Sequence, residues 1–287
     1  MTVTYSTDGV TATFTGGSGE TLSGATSLLT TATVAIIVGY SSIGMRAFDG
    51  ASALTSITIP PSVTSIGDYA FTRASALTTV TFDAHSSLNS IGAAAFSRVS
   101  ALTSVTIPAS VTSIGDAAFA EAPSLTTVTF EADSSLTSIG QSAFESATSL
   151  TSIIIPASVT TIGSYAFWSA SALTSVTFEA GSQLTTLGFS KAFQLSHVDT
   201  IIASQPLIKT MGWKTTELNI IGGKHEITVL TPPPTPICFP AGTPVTTDQG
   251  LVAIEKLNTD KHTIRGKEII AITQSRPLQK HIVCFEK

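Results

Sequence analysis

The dipeptide Ile-Gly recurs at Ile43, Ile66, Ile91, Ile114, Ile139 and Ile162, with Leu187-Gly188 as a seventh copy, and the spacings alternate 23, 25, 23, 25, 23, 25. Four residues after each of the first six glycines stands a Phe preceded by Ala: Phe48, Phe71, Phe96, Phe119, Phe144 and Phe167. The seventh unit slips by one, to Phe193. A fixed period of this length is the signature of a stacked-repeat architecture. One unit reads LTSITIPPSVTSIGDYAFTRASA, residues 54–76. Ile57 and Ile59 point one way and Ser56 and Thr58 the other, as a strand requires. Pro60 and Pro61 end the strand, Val63 and Ile66 supply a second inward pair, Gly67 permits a tight bend, and Ala70-Phe71 plugs the corner. Each unit carries only a one-sided apolar stripe, too little to fold alone. Stacking makes the core continuous.

The longer units place two extra residues between the strand and the second inward position: Phe82-DAHSS-Leu88, Phe130-EADSS-Leu136 and Phe178-EAGSQ-Leu184. These insertions are expected to protrude on one side at every second coil. Asp83, Glu131 and Glu179 form an acidic row there. Ca²⁺ wants 6–8 oxygens, which nothing nearby supplies, so the row reads as solvated loop and no metal or other cofactor is expected.

The pattern L-x-x-[IV]-x-[IF]-…-S-[VL]-x-[ST]-I-G-x-x-A-F over about residues 29–193 resembles the BspA-like leucine-rich repeats. It departs in one respect: the family often has Cys shortly after the Ala-Phe pair, where this chain has Ala51, Ala74, Val99 and Ala122. The resemblance implies a repeat solenoid, mostly β with short turns or helical corners. It also implies a surface protein of the bacterial, protist or large-virus type, used in adhesion or recognition without catalysis.

Charge sets what such a surface can meet. Residues 1–200 hold 4 Lys or Arg against 12 Asp or Glu, a net −8, and residues 201–287 hold 10 against 7, a net +3. A net −8 repels phosphate backbones, which excludes nucleic acid as a partner of the long N-terminal part. The polar surface is hydroxyl instead: 69 of the first 200 residues are Ser or Thr. Stacking aligns the outward strand residues in two rows. Ser56, Thr79, Ser104, Thr127, Ser152 and Ser175 form one, and Thr58, Thr81, Thr106, Thr129, Ile154 and Thr177 the other. Three readings compete for them: an uncharged, strand-favouring solvent face, a binding face for protein or glycan, and a hydroxyl-methyl lattice of the ice-binding kind. A curved sheet and Ile154 argue against the lattice. A face without aromatics or charges binds weakly per contact, and many copies on one particle compensate by avidity.

Residues 1–28 read as an N-terminal cap, with Val3–Tyr5 and Val10–Phe14 as short strands. Residues 194–230 read as a C-terminal cap containing a hairpin of Leu218–Ile221 and Ile227–Leu230. Trp168 and Trp213 read as packing residues. TPPPTPI, residues 231–237, has four prolines in seven residues and is an extended linker. Cys238-Phe239, Ala241-Gly242-Thr243, Val245, Thr247, Gly250 and Ile254-Glu255 ahead of Leu257 then resemble the opening of a Hint domain, the self-processing module of hedgehog proteins and inteins. That resemblance implies a partial Hint module over residues 238–287. In it the Cys238 sulfur attacks the carbonyl of Ile237, forming a thioester by an N-to-S acyl shift and releasing residues 1–237 to a second nucleophile. The family's T-x-x-H block lies much farther along than Thr259-Asp260-Lys261-His262, which therefore reads as a loop. His281-x-x-Cys284 reads as a strand end, since two ligands do not make a metal site.

The longest apolar run, Val34 to Val38, is far short of the ~20 residues of a spanning helix, so no transmembrane segment is expected. The polar start MTVTYSTDGV carries no secretory signal, which points to cytoplasmic synthesis of a protein destined for a cell or virion surface. The sequence-level expectation is a non-enzymatic recognition protein for protein or glycan. Self-processing at Cys238 and a structural, ice-associated solenoid are the alternatives.

Overall fold

A computed structural model describes residues 2–6, 8–28, 32–188, Ala192, Val198 and 200–204. It also describes the backbone of the strand segments 226–230, 237–240, 244–247, 250–253, 263–264, 267–268, 273–275 and 282–285. The chain divides into two compact units, Met1–Leu230 and Thr231–Lys287.

The first unit is a β-solenoid. Each coil contributes a four-residue strand such as Ser56–Ile59 and a two-residue strand such as Ser65–Ile66. The two-residue strands stack in parallel as one unbroken eight-stranded sheet from Thr21–Leu22 to Thr186–Leu187. Among described residues the only helix is a 3-10 turn, Ala25–Leu28. The corners are turns, each with two residues in the left-handed region, such as Tyr69 (φ 58) with Arg73 (φ 60) and Ala117 (φ 54) with Glu121 (φ 55). At these corners the backbone amides point along the stack and bond the next coil, as in Phe71 N–H to the Ala95 carbonyl at 2.7 Å.

The inward positions read from the period are buried. Ile57, Ile59, Val63, Ile66, Ala70 and Phe71 have at most 1% exposure. The six corner phenylalanines form a column with centroids 4.9–5.5 Å apart and rings within 8° of parallel. The small residues Ala51, Ala74, Val99 and Ala122 are buried behind that column. Threonine hydroxyls stitch coil to coil: Thr78 donates to the Thr55 carbonyl, Thr126 to Thr103 and Thr174 to Thr151, each at 3.0–3.3 Å.

At the N-terminal end Thr2–Tyr5 pairs antiparallel with Thr11–Thr15, which then pairs parallel with Val34–Val38. The strand Glu226–Leu230 runs parallel to Thr200–Ser204 on one edge and so continues the solenoid sheet. A parallel neighbour suits it because both strands carry runs of consecutive β-branched residues, Thr200-Ile201-Ile202 and Ile227-Thr228-Val229. Leu218–Ile221, Phe193 and Trp213 lie outside the described residues.

The described strands of the second unit, Thr231–Lys287, form short antiparallel pairings. Pro244–Thr247 pairs with Gly250–Ala253, Thr263–Ile264 with Lys267–Glu268, and Ile282–Phe285 with both Ile237–Pro240 and Thr273–Ser275.

Candidate functional site

The four-residue strands carry the outward hydroxyls, and alternation places them as the period requires. Thr58, Thr79, Thr81, Ser104, Thr106, Thr127, Thr129 and Ser152 are exposed, and Ser56, Ser175 and Thr177 half-exposed. Register aligns Ser56 with Thr79, Ser104 with Thr127 and Ser152 with Ser175, and likewise Thr58 with Thr81, Thr106 with Thr129 and Ile154 with Thr177.

The rows are not one lattice. The wide sheet is hydrogen-bonded in three blocks, broken between Thr79–Phe82 and Ser104–Ile107 and again between Thr127–Phe130 and Ser152–Ile155. Each break follows a 25-residue unit, and each block boundary therefore separates a long coil from the next short one. Within a short-then-long pair the ladder is closed. The last rung comes from the acidic residue after the long strand: Asp83 N–H bonds the Ile59 carbonyl, Glu131 the Ile107 carbonyl and Glu179 the Ile155 carbonyl, at 3.0–3.1 Å. Facing the other way, the residue at the same position of a short coil is Pro108 or Pro156. Proline has no N–H to donate. From Ser56 to Ile155 the wide sheet thus repeats as a double coil of 48 residues, while the boundary after Ser175–Phe178 is closed.

Side chains bind the double coil further. Glu131 Oε2 accepts from Ala109 N–H at 3.0 Å while the Ala109 carbonyl accepts from Ser135 N–H at 2.8 Å. Glu179 and Gln183 repeat the arrangement on Ala157 at 3.0 and 2.8 Å. In the first pair the position of Ala109 is Pro61, again without a donor. There the acid is the shorter Asp83, which accepts from His85 N–H in its own loop at 3.1 Å and lies 3.7 Å from the His85 ring. Two of these acids therefore brace loops against the preceding coil. No group of three metal-ligating side chains occurs among the described residues.

Each break opens a cleft on the hydroxyl face. Thr79, Val80, Thr81, Phe82, Thr103, Ser104, Thr106 and Glu131 line the first, with a volume of about 380 Å³. Thr127, Val128, Thr129, Phe130, Thr151, Ser152, Ile154 and Glu179, each 48 residues on, line the second, of about 260 Å³. Phe82 and Phe130 are half-buried where they border the clefts, whereas Phe178, at the same position beside a closed ladder, is fully buried. The face thus does present aromatic surface, contrary to the expectation from the strand residues alone. The signal was available in the sequence, as Phe in place of Ile at the last position of each long strand and Pro after each short one.

Ile237 opens a strand and Cys238 follows it, in register opposite Cys284. Thr259, Asp260, Lys261 and His262 lie outside the described residues. Trp168 packs edge-on against Tyr165 at 6.3 Å, half-buried at a corner.

A family model for the BspA type leucine rich repeat region matches residues 28–134 and 129–216, in six copies. Among curated proteins none matches. Of solved structures, the pneumococcal vaccine antigen PcpA is 20% identical, with 70% of this chain and 64% of that chain covered and a TM-score of 0.49. A leucine rich cell surface protein from Faecalibacterium prausnitzii A2-165 is 32% identical, over 61% of this chain and 52% of that one, with a TM-score of 0.40. A T. pallidum leucine rich repeat protein is 22% identical, over 70% and 83%, with a TM-score of 0.37. The chain spans less than two thirds of the pneumococcal and Faecalibacterium proteins.

Proposed function

The chain belongs to the BspA-type leucine-rich repeat family, and from that premise we propose that it is a non-enzymatic recognition or adhesion protein, displayed on a cell or virion surface, that contacts a protein or glycan through the outward face of its wide sheet. The observation that carries the reading is the availability of that face. Thr58, Thr81, Ser104, Thr106, Thr129, Ser152 and Thr177 are exposed or half-exposed, and their hydroxyls bond no protein group among the described residues. The neighbouring Thr55, Thr78, Thr126 and Thr174, by contrast, are committed to coil-to-coil bonds. Leucine-rich repeat proteins commonly bind proteins and this family is typically surface-associated, which supports the same reading. No helix among the described residues is long and apolar enough to cross a membrane.

The test uses immobilised protein and glycan arrays probed with the purified chain and with a variant carrying Thr58→Lys, Thr81→Lys, Thr106→Lys and Thr129→Lys. Signals present with the parent and absent with the face variant support the reading. Signals equal in both would locate binding elsewhere and overturn it.

A second reading concerns residues 231–287, which form their own compact unit whose described residues are all in strands, the first of them Ile237–Pro240. A Hint-like start there supports attack of the Cys238 thiolate on the Ile237 carbonyl, with transfer of the acyl group from nitrogen to sulfur and release of residues 1–237 to an added thiol. Intact mass with and without dithiothreitol decides it. A species ending at Ile237, increased by thiol and absent in Cys238→Ala, supports cleavage, and one uncleaved mass under both conditions removes it.

A further inference from the structure

The two clefts recur with the same lining at the only two open boundaries of the wide sheet among the described residues. Four features coincide in each. A half-buried phenylalanine, Phe82 or Phe130, packed against the core, lines one side. The floor is slightly bared valine, 8% exposed at Val80 and 6% at Val128, against 0% for Val176 beside the closed ladder. The open ladder leaves strand carbonyls without a strand donor. A glutamate closes the end, one oxygen held by Ala109 or Ala157 and the other bonding nothing among the described residues.

We infer that these are twin receptor slots for the cationic side chains of an extended protein segment lying across the coils, with one Lys or Arg head in each. The inference rests on the reading of this face as a recognition surface and names the partner's chemistry. Every group in the slot suits that occupant. The ring face attracts an ammonium or guanidinium, the methylene stem packs on valine and threonine methyls, and carbonyls and carboxylate accept the N–H donors. An anionic partner has no counter-charge here, because the arginines of residues 32–188 stand at the corners. Arg73 pairs with Asp49 and Arg98 with Glu121, each at 3.0 Å, while Arg46 lies over the Tyr69 ring at 5.3 Å. The slots are two coils apart, roughly 10 Å at the ordinary strand spacing. A polyproline II segment presents every third residue on one face at about 9.3 Å, which matches.

The probe is therefore (Lys-Pro-Pro)3, with (Glu-Pro-Pro)3 and (Ser-Pro-Pro)3 as charge controls, titrated into the full chain and followed by backbone amide shifts. The lysine peptide is expected to move the amides of Val80–Phe82, Ser104–Thr106 and their equivalents 48 residues on, and to weaken as salt rises. The double variant Glu131→Gln, Glu179→Gln should bind it about fivefold more weakly. Glutamine still accepts from Ala109 and Ala157, so the fold is kept, as the unchanged amide spectrum elsewhere will report. Equal binding of the three peptides, shifts confined to other coils, no binding, or an unaffected double variant each overturn the inference. If instead a neutral oligosaccharide such as chitohexaose shifts the same strand amides, the slots take a glycan. The cationic assignment then fails while the recognition face stands.

Discussion

Pro108 and Ser204 occupy the same position of the repeat, the fifth residue from the start of a wide strand that faces the previous long coil. Ahead of Pro108 the ladder between Thr79–Phe82 and Ser104–Ile107 is open, and ahead of Ser204 the ladder between Ser175–Phe178 and Thr200–Ser204 is closed. Pro60 also lacks a donor, yet Ser56–Ile59 pairs with the preceding short coil at Val34–Val38, so the sheet opens where a proline-ended strand, at Pro108 and Pro156, meets a long coil. Phe178 is buried at the closed boundary, while Phe82 and Phe130 stay half-buried at the open ones.

Restoring the donor should close a cleft. In Pro108→Ala the new N–H reaches the previous coil and the strands zip, so amide hydrogen exchange at Ser104 and Thr106 slows. A net backbone hydrogen bond is worth about 1 kcal/mol, so local exchange should fall by roughly fivefold or more, with the Pro156 boundary unchanged. Exchange identical to the parent would show that something other than the missing donor holds the boundary open.

The phenylalanine column carries the corners. Phe96 lies 4.9 Å from Phe71 and 5.2 Å from Phe119, fully buried and nearly coplanar with both. Phe96→Ala removes two stacking partners and leaves a cavity in a solenoid that cannot collapse around it without shifting its neighbours. The expected loss is about 3–5 kcal/mol, against under about 1.5 kcal/mol for Phe96→Leu. Equilibrium denaturant unfolding of the two variants measures both. A loss for alanine no larger than for leucine would mean that ring stacking, which both variants lose, outweighs the volume the column fills.

Much of this architecture is legible in the sequence because the period leaves little freedom. Ile57, Ile66 and Phe71 each recur with one environment, so reading one unit assigns the others. The outward rows follow from alternation alone. Less legible was the pairing of coils. The prolines Pro108 and Pro156 are visible, but their effect is not: Pro60 stands at the same position beside a closed ladder, so the outcome depends on the length of the preceding coil as well. The bracing roles of Glu131 and Glu179 were hidden because their partner is the backbone of Ala109 or Ala157. The parallel pairing of Glu226–Leu230 with Thr200–Ser204 was not legible either, because the period fails after Phe193 and no spacing links the two strands.

Coil stacking demands glycine at one place and tolerates strain at another. A Cβ on Gly140 would lie 2.5 Å from the Gly115 carbonyl carbon and 2.6 Å from the Asp116 nitrogen, both backbone atoms of the previous coil. Gly140→Ala should therefore cost about 3 kcal/mol. Ala117, two residues after the previous glycine, holds φ 54, a conformation costing an L-residue roughly 1–2 kcal/mol. Ala117→Gly relieves that, less the roughly 0.5–1 kcal/mol of extra unfolded-state freedom, and should raise the melting temperature slightly. Thermal unfolding of the two variants should move in opposite directions, and a rise for Gly140→Ala would contradict the close approach of the coils.

Stability at high pH should report on Tyr40. Its ring is buried under the N-terminal strands, against Gly16, and its hydroxyl donates to the Thr15 carbonyl at 3.3 Å. Burial, and secondarily the negative charge of Glu20, push the phenol pKa above its ordinary 10.0. The raised value means that the folded state favours the protonated phenol. The stability this contributes is fully present below pH 10.0 and declines as the pH rises from there through the folded-state value. Alkaline titration of tyrosinate absorbance should show a late-titrating component that Tyr40→Phe removes. The unfolding free energy of that variant should also fall less steeply with pH than the parent's. Parallel pH dependence in the two proteins would show that the alkaline sensitivity arises elsewhere than at Tyr40.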